Sequence, residues 1–186
     1  MKTKKLSPAF LFAMSIVLFA SCNKIKEISI TEQKSIKLDV ETEVKANAAT
    51  YSSLRAGEMS AFSGTANFSL SEMPELKGFN LSSLSAATLA NVTIETSCTE
   101  EGDYYAENVL IQTTGASATI SNIVIGESIT GNSEVNALIQ TLLTNLVSGK
   151  TMPVSISGTT NLNNPGKKII YKLNIDAKWT LKPFDK

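Results

Sequence analysis

The chain has 186 residues, with 17 basic and 17 acidic side chains, no histidine, two cysteines and 6% aromatic residues. Without histidine it lacks the usual general base near neutral pH, the His-containing nucleophilic triads and the commonest metal ligand. Lys and Glu are scattered rather than gathered into the basic stripe that phosphate backbones require, so nucleic acid is not an expected partner.

Lys2, Lys4 and Lys5 begin the chain, Ala9 to Ala20 is almost wholly apolar, and the small pair Ala20-Ser21 precedes Cys22. That is the three-part plan of a secretory signal. The apolar core, about a dozen residues, is short of the ~20 that cross a bilayer as a helix. Cleavage after Ala20 would place Leu18 where an ordinary signal peptidase site wants a small residue. Leu18-Phe19-Ala20-Ser21-Cys22 instead resembles the lipobox of bacterial lipoproteins, departing from it at Phe19, where leucine is commoner.

The resemblance implies that residues 1–21 are removed and that Cys22 is acylated through its sulfur. Two or three acyl chains at ~0.8 kcal/mol per buried CH₂ make a stable anchor. Asn23 is not the Asp that favours inner-membrane retention in that family, and Lys24-Ile25-Lys26-Glu27 is unlike the acidic run that directs some members to the cell surface. The expected location is the outer membrane facing the periplasm, with the cell surface as the alternative. Removing 21 residues of the 186 leaves 165; the three signal lysines go with them, so 14 basic side chains face 17 acidic ones. The remainder suits one domain.

Residues 22–34 are polar and lack a sustained pattern, and are expected to form a lipidated tether reaching ~20 Å; a single β-rich domain over 35–186 follows. From Ser35, Ile36, Leu38, Val40, Thr42 and Val44 alternate with Lys37, Asp39, Glu41, Glu43 and Lys45, the period of a half-buried strand. Further strands are predicted at Phe62–Leu70, Leu89–Cys98, Tyr104–Thr113, Ala118–Ile125 and Pro153–Thr160, with a loop or short helix at Ser71–Ser85. The loop Thr99-Glu100-Glu101-Gly102-Asp103 has the Gly and acidic residues of a hairpin connection. The last strand, Ile169 to Leu181, alternates throughout and is long enough that a bend or a switch of sheet is expected.

One segment has another period. Val135, Leu138, Ile139, Leu142, Leu143, Leu146 and Val147 form the apolar stripe of an amphipathic helix at about 133–148. Asn132 or Ser133 can cap its start, and Gly149 can end it in a left-handed turn. Short strands with polar outer faces and a single helix predict a mainly β protein, an antiparallel β-sandwich or partly open barrel. A 6% aromatic content lacks the girdles of an outer-membrane barrel.

Residues 142–183, with a helix before Gly149, then Ser157-Gly158-Thr159, Pro165-Gly166 and a long final strand, resemble the C-terminal part of the water-stress (WHy) type late-embryogenesis β-sandwich. That resemblance implies a β-sandwich; the family's upstream Asn-Pro signature is missing and no functional residue carries over.

The chemistry is sparse. Cys98 continues the Val92, Ile94, Thr96 face of its strand and reads as a small buried hydrophobe. Asp39, Glu41 and Glu43 are spaced ~6.6 Å apart along one strand face, near the separation of an inverting glycosidase pair, yet Lys37 and Lys45 bracket them and Lys168, Lys172 and Lys178 are available across the sheet. They read as a solvated, charge-paired face. Glu100, Glu101 and Asp103 lack the spacing of a Ca²⁺ loop. No Gly-x-Ser-x-Gly or Ser-x-x-Lys motif marks a serine nucleophile. No catalytic residue, metal site or cofactor is therefore expected.

The favoured function is a lipid-anchored, non-catalytic binding or scaffolding domain held in the membrane through Cys22, with an envelope protein or glycan as partner. The alternative is a carrier of an apolar ligand or lipid in a cavity under the helix; a carboxylate-based glycan-acting enzyme or an adhesin subunit ranks below both. The candidate ligand-contacting residues are Leu138, Leu142 and Leu146 on the helix and Tyr104 and Tyr105 on the hairpin.

Overall fold

The computed structural model describes residues 29–45 and 59–182. Its elements are β1 (Ile30–Val44), β2 (Ser60–Phe68), β3 (Leu84–Cys98), β4 (Tyr105–Thr113), β5 (Ala116–Val124), β6 (Ser128–Thr130), α1 (Ser133–Val147), β7 (Met152–Thr160) and β8 (Lys168–Leu181), with three short 3₁₀ turns between β2 and β3. The signal segment and Cys22 lie outside the described residues.

The strands form one eight-stranded antiparallel sheet in the order β5-β4-β7-β2-β1-β8-β3-β6. Between β2 and β1 the ladder narrows to two residue pairs, Glu43 with Ser63 and Val44 with Phe62. There the sheet turns a corner, and a β-carbon at Gly64 would overlap the Glu41 carbonyl. The fold is thus a partly open barrel flattened into a sandwich, one layer β5-β4-β7-β2 and the other β1-β8-β3-β6. Phe62 of the first layer stacks on Tyr171 of the second, with ring centroids 5.8 Å apart.

Period-two patterning builds both layers. Ile36, Leu38, Val40 and Val44 of β1, and Ile169, Tyr171, Leu173, Ile175, Ala177 and Trp179 of β8, all point inward and are buried in one core. β8 pairs along its whole length with β1 on one side and β3 on the other, so the expected switch of sheet does not occur; a strand flanked on both edges has no need to leave. β4 carries a bulge opposite β7 between Glu107 and Leu110. Asn108 takes it up in the left-handed region, at φ 52°, which Asn tolerates better than most residues. Buried positions accordingly shift from Ala106 to Val109 and Ile111.

Two openings remain in such a sandwich, and each has its own plug. On one side α1 lies across β3 and β5. Asn132 caps it, its side-chain oxygen accepting from the Val135 N–H at 2.9 Å, and Gly149 ends it at φ 78°. On the other side the 3₁₀ segment buries Leu70, Met73 and Leu76. The Lys34 ammonium lies 4.8 Å from the centre of the Phe79 ring, a cation–π contact that fastens this segment to β1.

β1 begins at Ile30, ahead of the expected Ser35: residues 30–34 pair with Leu181 to Ala177 of β8. The polar stretch assigned to the tether is therefore partly strand, because backbone pairing to β8 does not require an apolar side chain. β6 was not predicted, being only three residues long.

The interior under α1 is filled. Val135, Leu138, Ile139, Leu142, Leu143 and Leu146 are each at most 1% exposed. Leu142→Ala is expected to cost ~2–5 kcal/mol in denaturant unfolding, transfer loss plus residual cavity. Tyr171 is buried with no partner for its hydroxyl among the described residues, and burial pushes its phenol well above the ordinary 10.0. Tyr171→Phe should therefore be neutral or stabilising by up to ~1 kcal/mol. Stability due to this group is full below pH ~10. Above it the unfolded chain loses a phenolic proton that the folded chain keeps, so wild-type stability falls by up to ~1.4 kcal/mol per pH unit. Unfolding midpoints between pH 8 and 11 should fall less steeply in the variant.

Candidate functional site

The topology sorts the loops to two ends. One end carries Lys45, the β3–β4 loop, the β5–β6 turn and the β7–β8 loop; the other carries the start of β1, the end of β8, the 3₁₀ segment, the β4–β5 turn and the C-terminus of α1. Most of the polar candidates meet at the first.

There the Asn-rich β7–β8 loop is sewn to the β3–β4 loop, which is not the expected hairpin: β3 pairs with β8 and β6 while β4 pairs with β5 and β7, so residues 99–104 cross from one layer to the other. Asn161 accepts from the Tyr105 N–H at 2.8 Å and donates to the Asp103 carbonyl at 3.3 Å. The Asn164 amide donates to both carboxylate oxygens of Glu100, at 2.6 and 2.7 Å, and Lys167 lies 3.6 Å from the same carboxylate. Thr160, fully buried, donates to the Tyr105 carbonyl at 2.8 Å. The Tyr104 hydroxyl donates to the Glu101 carbonyl at 3.2 Å. Partial burial of its ring, then Glu100 and Cys98 nearby, raise its phenol above the ordinary 10.0.

Tyr105 is 41% exposed and pairs across the strand with Val124, 51% exposed. Together they make a small apolar spot on the rim beside Glu107 and Asn122. The arrangement can stack on or hydrogen-bond to a partner. Its carboxylate Glu100 is already held by an amide and an ammonium, so it is fixed as structure. Among the described residues no three of His, Cys, Asp and Glu gather closely enough to hold a metal ion.

The remaining candidates fall elsewhere. Leu138 and Leu142 are core residues; Leu146 is equally buried but also borders a surface cleft of about 280 Å³ with Leu70 and Leu81. The helix leucines and the two tyrosines therefore do not share a site. Cys98 is half-buried, packed against the core, and its sulfur accepts from the Glu100 N–H at 3.4 Å, so it is more open than a fully buried hydrophobe. Asp39, Glu41 and Glu43 lie on the outer face of β1. Glu41 is ion-paired with Lys168, whose ammonium is raised chiefly by that hydrogen bond, and Asp39 stands opposite Lys172, which stands opposite Glu95 on β3. Asn161 and Asn164 were not singled out in the sequence; the run Asn161-Leu162-Asn163-Asn164-Pro165-Gly166 signals a turn but not its partner.

No protein-family model and no curated protein matches the chain. Among solved structures it is similar to the decameric BFDV capsid protein, at 11% identity over 82% of this chain and 99% of that one, with a TM-score of 0.38. It is also similar to the desmodium yellow mottle tymovirus structure, at 10% identity over 91% and 96% of the two chains, with a TM-score of 0.37.

Asn161→Ala removes both amide ties between the loops. The Tyr105 amide is expected to exchange at least tenfold faster with solvent, with a global loss of ~1 kcal/mol, read by amide exchange and unfolding of the same sample.

Proposed function

We propose that this is a lipid-anchored envelope lipoprotein, acylated at Cys22, whose β-domain acts without catalysis as a binding or scaffolding module. The outer membrane facing the periplasm is its proposed location. The observation that carries the non-catalytic binding reading, against the carrier alternative, is the filled interior: the helix leucines that would have to roof a ligand cavity rest on packed side chains. Clefts of about 280 and 530 Å³ lie along the 3₁₀ segment, at the surface, and do not reach Leu138 or Leu142.

Supporting the same reading, the acidic face of β1 that would serve a carboxylate enzyme is engaged across strands, Glu41 by its ion pair with Lys168 and Asp39 by standing opposite Lys172. The exposed rim around Tyr105 and Val124 is the proposed contact for an envelope protein or glycan. No helix among the described residues is long and apolar enough to cross a membrane, so in this reading the acyl chains supply the attachment.

Cys22→Ser should move the protein from the membrane pellet to a soluble fraction and abolish the acyl mass increment on its first peptide. Retention of the variant in the pellet would overturn the anchor.

A further inference from the structure

We infer that the end of the domain carrying Ile30, the 3₁₀ segment and the C-terminus of α1 docks onto the headgroups of an anionic lipid surface. The inference rests on the lipid-anchor reading and assigns the face that the anchor presents.

The first observation is reach. Ile30 is already in β1, paired with Leu181, and only eight residue steps separate it from Cys22. At ~3.3–3.6 Å per residue, a chain of that length spans at most ~29 Å in any conformation. The end that carries Ile30 is therefore kept within that distance of the bilayer.

The second observation is charge. Around this end stand Lys34, Lys77, Lys150, Lys178 and Lys182 against Glu32, Glu72, Glu75 and Asp176. At the opposite end Glu43, Glu100, Glu101, Asp103, Glu107 and Glu127 outnumber Lys45, Lys167 and Lys168. The anchored end is thus the one place where the described part of an acidic domain is net positive. Lys77, Lys150, Lys178 and Lys182 are exposed.

Third, the same end is apolar between its lysines. Ile30 is 56% exposed, and Phe79 and Leu81 are half-buried on the 3₁₀ segment beside the cleft that Leu146 borders. A ring of ammonium groups around partly exposed apolar side chains suits the boundary between headgroups and acyl chains.

The test uses the acylated mature chain in two kinds of vesicle, phosphatidylcholine alone and phosphatidylethanolamine with phosphatidylglycerol, followed by amide exchange. On the anionic vesicles the amides of Leu81, Ser83 and Gly149 should exchange at least threefold slower than on the neutral ones, with those of Asp103 to Tyr105 unchanged. The difference should vanish in 0.5 M salt and in the combined variant Lys77→Glu, Lys150→Glu, Lys182→Glu. Equal exchange on both vesicles, or slowing that survives the charge reversal, overturns the inference and leaves this end to a protein partner. Failure of the wild-type chain to enter either vesicle, with no acyl mass on Cys22, instead overturns the anchor reading, and the docking inference with it.

Discussion

A sheet that curls without closing leaves two edge strands whose backbone groups need partners, and α1 supplies them. Along β3, β6 pairs only with Thr93 to Glu95. Past the bulge between Leu89 and Asn91, the Gln140 side chain takes over: its oxygen accepts from the Leu89 N–H at 2.8 Å and its nitrogen donates to the Ala87 carbonyl at 2.9 Å. A primary amide has the donor and acceptor of one peptide unit, so Gln140 stands in for a residue of a missing neighbouring strand. On the other edge Glu134 accepts from the Thr119 N–H of β5 at 3.4 Å. The helix is therefore a plug with polar hooks on both sides, and its leucine stripe fills the space between the layers. Edge strands treated this way are withdrawn from pairing with other chains.

That closure depends on a tight approach. The link from β6 to α1 passes so near β3 that a β-carbon at Gly131 would meet the Val92 side chain at 2.5 Å, while its N–H bonds to the Val92 carbonyl at 3.0 Å. The position of the helix is thus set two residues before its first residue, Ser133, and its apolar face arrives over the gap with Gln140 against the β3 edge.

The parts legible in the sequence are those where a single period meets one buried face. β1 from Ile36, β8 and α1 follow directly from alternation or from the helical stripe, and the Asn132 cap and the Gly149 terminus follow from residue type. The rest has physical reasons for being hidden. Leu70, Met73, Leu76 and Phe79 recur every three residues, the period of a 3₁₀ helix, but Pro74 and Gly78 make the stretch look like loop. Residues 30–34 pair through backbone alone, so Glu32 and Lys34 mask the strand. The β4 bulge at Asn108 changes which residues face inward, and alternation cannot announce a change of phase. At the end that carries the β3–β4 loop, Tyr104 and Tyr105 were legible as candidates, of which Tyr105 is exposed and Tyr104 half-buried. The ties from Asn161 and Asn164 join segments 56 and 64 residues apart, and local patterning has no sight of such pairs.

With its interior filled, what distinguishes this domain is the difference between its ends. β1 has 15 residues, about 46 Å of strand at ~3.3 Å per step, so the acidic end with the β3–β4 loop stands several Debye lengths of ~8 Å from the lysines of the other end. The net negative charge of the described residues therefore does not cancel the field of the lysine-bearing end at close range: screening makes each end act by its own charge. In the proposed anchored orientation the acidic rim would face away from an anionic surface, and tipping it toward that surface would set carboxylates against headgroup phosphates. With Cys22 as the proposed anchor, the eight residue steps from it to Ile30 would leave too little slack to uncouple the two ends, and charge and reach together would hold Tyr105, Val124 and the Asn-bound loops outward, toward the proposed partner.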